Sequence, residues 1–223
     1  MIRRLWSTAV LAMLIPVCPA WGGRVEGTLR LPAVDNRDLA ALDAYPGRAN
    51  SLVGAHPVVR GTVTDAVISF ESLPAAAESL MTPSATPPQL AQKDQAFMPR
   101  VLAVAVGTSV DFPNQDPIYH NVFSVSPVKR FDLGKYPRGH SKRVTFGKPG
   151  VVQVYCDIHS QMAAFVLVLP HRGFTQPDAA GHFTLPNVPA GHYKLRVWHP
   201  DLHELHREVD VPAEGVVSVE LEY

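Results

Sequence analysis

Three features of the sequence predict an all-β protein. Short apolar and β-branched runs recur along it, separated by turn residues. The 223 residues include 21 prolines and 15 glycines, and few runs have helical periodicity. At the C-terminus the alternation is almost strict: Val217, Val219, Leu221 and Tyr223 fall on one face, and Ser218, Glu220 and Glu222 on the other. That two-residue period belongs to a half-buried strand. Elements of this kind close into a sandwich or barrel.

The chain opens with a basic pair, Arg3 and Arg4, and a mainly apolar run over 5–17, too short to span a bilayer comfortably. Cys18, Pro19 and Ala20 put small residues where a signal peptide is cut. Residues 1–20 are therefore expected to leave after Ala20, with export to the periplasm in a bacterial setting. A lipid anchor on Cys18 is the rival, disfavoured by Val17 before it, and a retained anchor is the third choice. A strand is expected over 24–31 (RVEGTLRL), a short helix over 38–45, and a clear strand within 66–71 (AVISFE). Residues 74–88 are Ala, Ser, Thr and Pro with almost no charge, and read as linker or surface loop. Regular patterning starts at Gln92. Strands are expected over 101–106, 109–113, 122–125 and 143–146, with a looser stretch over 129–140. Further strands follow over 182–185, 193–198, 208–211 and 216–223.

The stretch 151–168 (VVQVYCDIHSQMAAFVLV) is a strand, a tight loop and a second strand. The loop holds Cys156, His159 and Met162 at intervals of three. Once Cys18 is removed Cys156 is the sole thiol, so in an oxidising compartment it has no internal disulfide partner. A thiolate, an imidazole and a thioether on one loop favour copper over Mg²⁺ or Ca²⁺, which take oxygen ligands. A trigonal copper site needs one more imidazole. His120, in NQDPIYHNV, is the candidate. Zinc fits less well, because structural zinc sites seldom use a thioether. His199, His203 and His206 (WHPDLHELH) suggest a second metal site, but Pro200 and the adjoining strands favour a loop.

Composition and motifs narrow the function. The formal charge is zero, 20 basic against 20 acidic residues, which points to neither nucleic acid nor an anionic membrane surface. No Gly-x-Ser-x-Gly elbow, P-loop or His-x-His pair occurs, so an enzyme is not expected.

Residues 92–170 resemble a cupredoxin, a Greek-key β-sandwich. The landmarks are Phe97-Met98-Pro99, 104–107, Phe112-Pro113-Asn114, His120-Asn121-Val122 and the hairpin from Gly150 to Met162. The Cys156-x-x-His159-x-x-Met162 spacing looks like the amicyanin type, and the closest likeness is to periplasmic proteins labelled methylamine utilisation or plastocyanin-like. This resemblance implies one type 1 (blue) copper per chain, with His120 and His159 as nitrogen ligands, Cys156 as thiolate and Met162 as a weak axial sulfur. It also implies that Asn121 ties the two ligand loops together. Asp157, Ile158, Ser160 and Gln161 depart from the amicyanin loop and make the rim around His159 more polar.

The flanking pieces resemble a transthyretin-like or carboxypeptidase-regulatory-like β-sandwich. The signature is Asp178-x-x-Gly181-x-Phe183-x-Leu185-x-x-Val188-Pro189-x-Gly191-x-Tyr193-x-Leu195. The expected organisation is a first part of this second small β-sandwich at 21–74, a linker at 75–91, the cupredoxin at 92–170, and the second part at 171–223. Together the resemblances imply a monomeric periplasmic electron carrier for redox protein partners, with no nucleic acid and no membrane span after signal cleavage. The alternative is a non-catalytic copper-handling or envelope interaction protein.

Overall fold

Alternation along the strands sorts their side chains into three apolar layers between five sheets, the two smallest lying side by side in one tier. The computed structural model describes residues 22–32, 61–79, 81 and 84–223, so the expected signal and the helix at 38–45 lie outside the described residues. The chain runs through β1 (Arg24–Arg30), β2 (Val67–Phe70) and a single helical turn, α1 (Ala75–Glu78). A hairpin follows, β3 (Ala91–Lys93) and β4 (Ala96–Met98), then β5 (Val101–Ala105), β6 (Ser109–Pro113), β7 (His120–Ser124) and β8 (Phe131–Tyr136). Next come β9 (Ser141–Thr145), β10 (Gly150–Tyr155), β11 (Ala163–Leu169) and the short β12 (Phe174–Thr175). The chain ends with β13 (His182–Thr184), β14 (Gly191–Trp198), β15 (Leu205–Val211) and β16 (Val216–Glu222). The protein is all-β, and none of its described helices is long and apolar enough to cross a membrane.

The outermost sheet is β13-β1-β16 and packs on β12-β2-β14-β15. Val25 and Leu29 of β1, Val219 and Leu221 of β16, and Ile68, Phe70, Leu195 and Val197 fill the layer between them. Only glycine serves at position 27, since a Cβ there would lie 1.9 Å from the Val219 carbonyl oxygen. β2 thus pairs not with its neighbours in sequence but with β14, in the register Val67↔Trp198 to Phe70↔Leu195.

A third sheet, β5-β11-β10-β7-β8, packs its far face on the β6-β9 pair and the β3-β4 hairpin. Ala164, Val166 and Val168 of β11 point into this second core, with Phe112, Val122, Val152 and Val154. The odd residues of β11 point the other way. Leu167 and Leu169 meet Val67, Val101 and Trp198 in a middle layer that joins the two sandwiches. β2 and β11 are accordingly buried on both faces, the condition that produces continuous apolar runs in place of alternation. A polar contact edges the same joint. Arg100, one residue before β5, bonds Asp65 at 3.2 Å and Asp201 at 3.0 Å, and its guanidinium lies 5.6 Å from the Phe165 ring centre.

Removing packing from the middle layer tests it. Leu167→Ala deletes a side chain that is 2% exposed and should destabilise the protein by about 2–5 kcal/mol, read from chemical denaturation. Acid should also loosen it. Burial pushes His171 and His199 below the usual histidine value, against weaker upward pulls that include the Glu78 charge on His171 and the Thr62 carbonyl on His199. The fold disfavours the charged form of each, so stability is full above about pH 6.5 and fades as pH falls below that, when the unfolded chain takes up the proton first. Tm should drop on acidification through that range, and His171→Leu should flatten the drop.

Three segments differ from the sequence expectation. Residues 75–78, expected to be unpacked, form α1 with Ala77 buried, and Glu78 accepts hydrogen bonds from the Arg172 N–H and guanidinium, both at 2.8 Å. Alanine is small enough to pack where the composition signals a linker. The looser stretch at 129–140 contains all of β8. Gly134, at φ +63°, accompanies a register shift opposite Asn121 and Phe123, and this breaks the alternation. β15 starts at Leu205, three residues before the expected strand.

Candidate metal centre

The strand ladder sets the positions of the candidate ligands. β10 ends at Tyr155, which pairs with Phe123 of β7, so the residue after β10 arrives beside the start of β7. That residue is Cys156, and β7 begins with His120. The loop then turns back sharply: the Met162 N–H donates to the His159 carbonyl at 3.0 Å, and the Cys156 N–H to the Met162 carbonyl at 3.3 Å. β11 leaves at Ala163.

Three of the four expected residues present donor atoms to one another. Cys156 Sγ lies 3.9 Å from His120 Nδ1 and 3.7 Å from His159 Nδ1, and the two Nδ1 atoms are 3.0 Å apart. Among the described residues this is the one group of three His, Cys, Asp or Glu able to hold a metal ion. Such spans suit a single ion with bonds of roughly 2.0–2.3 Å to nitrogen and sulfur. His120 is fully buried, Cys156 is 5% exposed, and His159 is half-buried, so His159 is the candidate ligand nearest solvent. Met162 is buried in the core that also contains Cys156, and its backbone closes the loop.

Asp116 is a residue the sequence analysis left without a role. Its carboxylate meets His120 Nε2 at 2.7 Å and accepts the Asp94 and Gln95 N–H groups at 2.6 and 2.9 Å. Burial raises the Asp116 carboxyl, but the Gln95 N–H, the His120 ring and the Asp94 N–H outweigh it and hold the group below its usual value. An ionised acceptor on Nε2 puts the His120 proton there and leaves Nδ1 as a lone-pair donor facing Cys156. The same carboxylate stabilises the β3–β4 turn, where Asp94 and Gln95 both have positive φ, 54° and 56°. The available signal was the Asp116-x-x-x-His120 spacing, which carries meaning only once this hairpin lies against it.

The ligand loop has further support. Asn114 Nδ2 donates to the Ile118 and Tyr136 carbonyls at 2.8 and 2.9 Å, and its Oδ1 accepts the Asp116 N–H. Asn121, expected to tie the two loops, is buried with its Oδ1 lacking a hydrogen-bond partner among the described residues. Asn114 and Asp116 instead brace the His120 loop, against β8 and the β3–β4 turn. Tyr136, paired with His120 across the ladder, accepts from Gln92 Nε2 and donates to the Phe112 carbonyl, each at 2.8 Å. Burial pushes its phenol up, and the nearby Cys156 adds to the rise. Ile118, Tyr119 and Ile158, on the two ligand loops, are exposed, so this end is more apolar than the polar residues of the 156–162 loop suggested.

Among the described residues, the other three histidines expected to cluster stay apart. His199 is buried with Nε2 3.3 Å from the Thr62 carbonyl, His203 stacks edge-on to Tyr223, and His206 pairs with Glu71. The second metal site weighed for this trio does not assemble.

The described residues therefore make an all-β protein with a buried cluster of two imidazoles and a thiol. Solved structures similar to it include a copper-containing nitrite reductase, a purple cupredoxin and an amicyanin. A Cu-containing nitrite reductase (NirK) from Thermus scotoductus SA-01 is 28% identical at a TM-score of 0.37, over 40% of this chain and 23% of that one, so the chain spans only a small part of that protein. A purple cupredoxin from Nitrosopumilus maritimus is 23% identical at 0.34, over 37% of this chain and 99% of the other. A reduced amicyanin variant is 25% identical at 0.36, over 47% and 99%. No protein-family model and no curated protein matches the chain.

Proposed function

We propose that this protein holds one copper ion in a type 1 site and carries single electrons between redox proteins in the periplasm. The observation that carries the proposal is the convergence of His120 Nδ1, His159 Nδ1 and Cys156 Sγ within 3.9 Å of one another. One thiolate with two imidazoles is the donor set of a blue-copper site, with Met162 the candidate for the weak axial sulfur. The metal would supply a one-electron couple. The chain's own part is to hold the ligands still. The Asp116 carboxylate locks the His120 ring, the turn bonds within 156–162 fix the loop, and the surrounding core keeps water from His120 and Cys156. A frame rigid in both oxidation states keeps reorganisation small. His159, half-buried among the exposed Ile118, Tyr119 and Ile158, is the proposed route for electrons in and out.

The optical and EPR spectra of the copper-loaded protein test this. Intense visible absorption with fast, reversible one-electron reduction is expected. Tight Cu(I) binding with no redox cycling would move the protein to copper handling. Met162→Leu should retain copper and raise the potential, because the axial ligand tunes the metal more than it holds it. Loss of copper from this variant would overturn the axial role.

We propose also that residues 21–74 and 171–223 form one transthyretin-like sandwich, interrupted by the cupredoxin-like 92–170. Support comes from the pairing of β2 with β14 and of β1 with β13 and β16. Expressed alone, 171–223 should stay unfolded, lacking β1 and β2. Residues 92–170 alone should take up copper but self-associate through the uncovered Leu167 and Leu169. A folded 171–223 would refute the interruption.

A further inference from the structure

The zero net charge conceals a separation of charge. Residues 126–150 carry seven Lys or Arg against one Asp, a local charge of +6, and residues 201–223 carry seven Asp or Glu against one Arg, a local charge of −6. The positive stretch is built on β8 and β9. β8 is the edge strand of the five-stranded sheet and β9 one of the two strands in its own pair, so both line an open side of the sandwich. Arg130, Lys135, Arg138, Lys142, Arg143 and Lys148 are exposed there. Arg143 is matched by Asp111, and none of the other five has an acidic partner among the described residues. Lys142 lies over the Tyr136 ring, 5.1 Å from its centre, and donates to the Leu133 carbonyl, bridging β9 to β8.

This edge borders the metal cluster. Lys135 is paired with Asn121, the residue after His120. The turn holding Arg138 is bonded to the ligand loop through Gly139 N–H to the Asn114 carbonyl, 2.8 Å, and Asn114 N–H to the His140 carbonyl, 2.9 Å. We infer that the β8–β9 edge is the docking surface for an acidic protein that exchanges electrons with the cluster, an inference that rests on the electron-carrier proposal. Unpaired charges beside the exit point raise encounter rates and orient the partner, and cost little when the partner leaves. A compact acidic patch fits this arrangement better than an anionic membrane. A membrane is broad enough to face far more of the protein than this edge, and the whole chain offers it no net charge.

Two experiments on the full chain separate this inference from its premise. In the first, the ¹⁵N-labelled apoprotein is titrated with poly-L-glutamate. Shifts should concentrate at 130–143 and 114–120, vanish at roughly 0.3 M salt, where screening is short-ranged, and be lost in the double variant Lys135→Glu, Arg138→Glu. Scattered shifts, or shifts that survive in the variant, would overturn the docking surface whether or not copper binds. In the second, the Cu(II) protein is reduced in stopped flow. Hexacyanoferrate(II) gives one electron, becoming hexacyanoferrate(III) as Cu(II) becomes Cu(I), and no atoms move. Its rate should fall about tenfold or more from low to high salt, and at low salt the double variant should prefer the cationic reductant hexaammineruthenium(II). A protein that fails to form a blue site but maps poly-L-glutamate to this edge would refute the carrier proposal and leave the surface intact. Equal binding to anionic phosphatidylglycerol vesicles, or salt-sensitive self-association in sedimentation, would reassign the edge to a membrane or to a second copy.

Discussion

Cys156→Ser is expected to abolish the visible charge-transfer absorption completely while leaving the protein folded. The colour of such a site originates in the copper–thiolate bond, and a serine oxygen is harder and stays protonated near neutral pH. Cys156 is 5% exposed at the end of β10, so the new hydroxyl has little access to water. An unsatisfied buried hydroxyl costs about 1–3 kcal/mol, a loss that a sheet of five strands should survive. Absorption and EPR read the site, and thermal unfolding reads the scaffold. Persistence of the blue band in a folded variant would eliminate Cys156 as ligand.

Asp116→Asn should weaken copper binding by about 10–100-fold, the usual effect of losing a partner that orients a metal-bound histidine. The carboxylate accepts from three donors, the His120 ring and the Asp94 and Gln95 N–H groups. An amide has one accepting oxygen, so its NH₂ must face at least one of those donors. The substitution should therefore also loosen the β3–β4 hairpin and lower Tm. The pH dependence provides a separate signature. The Asp116 carboxyl titrates below its usual value in the folded protein, so its contribution is present above about pH 3.9 and is lost as pH falls through the lower folded value. Asp116→Asn should be less stable at neutral pH but lose less on going to acid. Unchanged copper affinity in the folded variant would show that the His120 ring is held by other means.

The sequence exposed the candidate ligands and concealed what positions them. Cys156, His159 and Met162 occupy one short loop, and His120 stands in a recognisable turn, so their chemistry could be read without a fold. Asp116 could not be read this way, because its partners come from a hairpin more than twenty positions upstream. Asn121 was expected to tie the two loops, but its Oδ1 has no partner among the described residues, while Asn114 braces the His120 loop against β8. The strands were mostly legible where one face is wet, as in β16. β11 was legible as a strand, but its run AAFVLVL does not say that two different layers claim its alternate residues. The segregated charge was visible letter by letter, yet the total of zero hid it until β8 and β9 were found at open edges.

That double claim on β11 bears on how the molecule melts. Two sandwiches joined by a loose tether unfold in two separate heat-absorption peaks. Here Ala164, Val166 and Val168 support the core around the ligands, while Leu167 and Leu169 on the same strand support the contact with β2 and Trp198. Neither half can lose its order without stripping one side of the other's strand. Scanning calorimetry should give one endotherm with equal calorimetric and van't Hoff enthalpies, and copper added at one end should raise the melting temperature of tryptophan fluorescence from Trp198 at the joint.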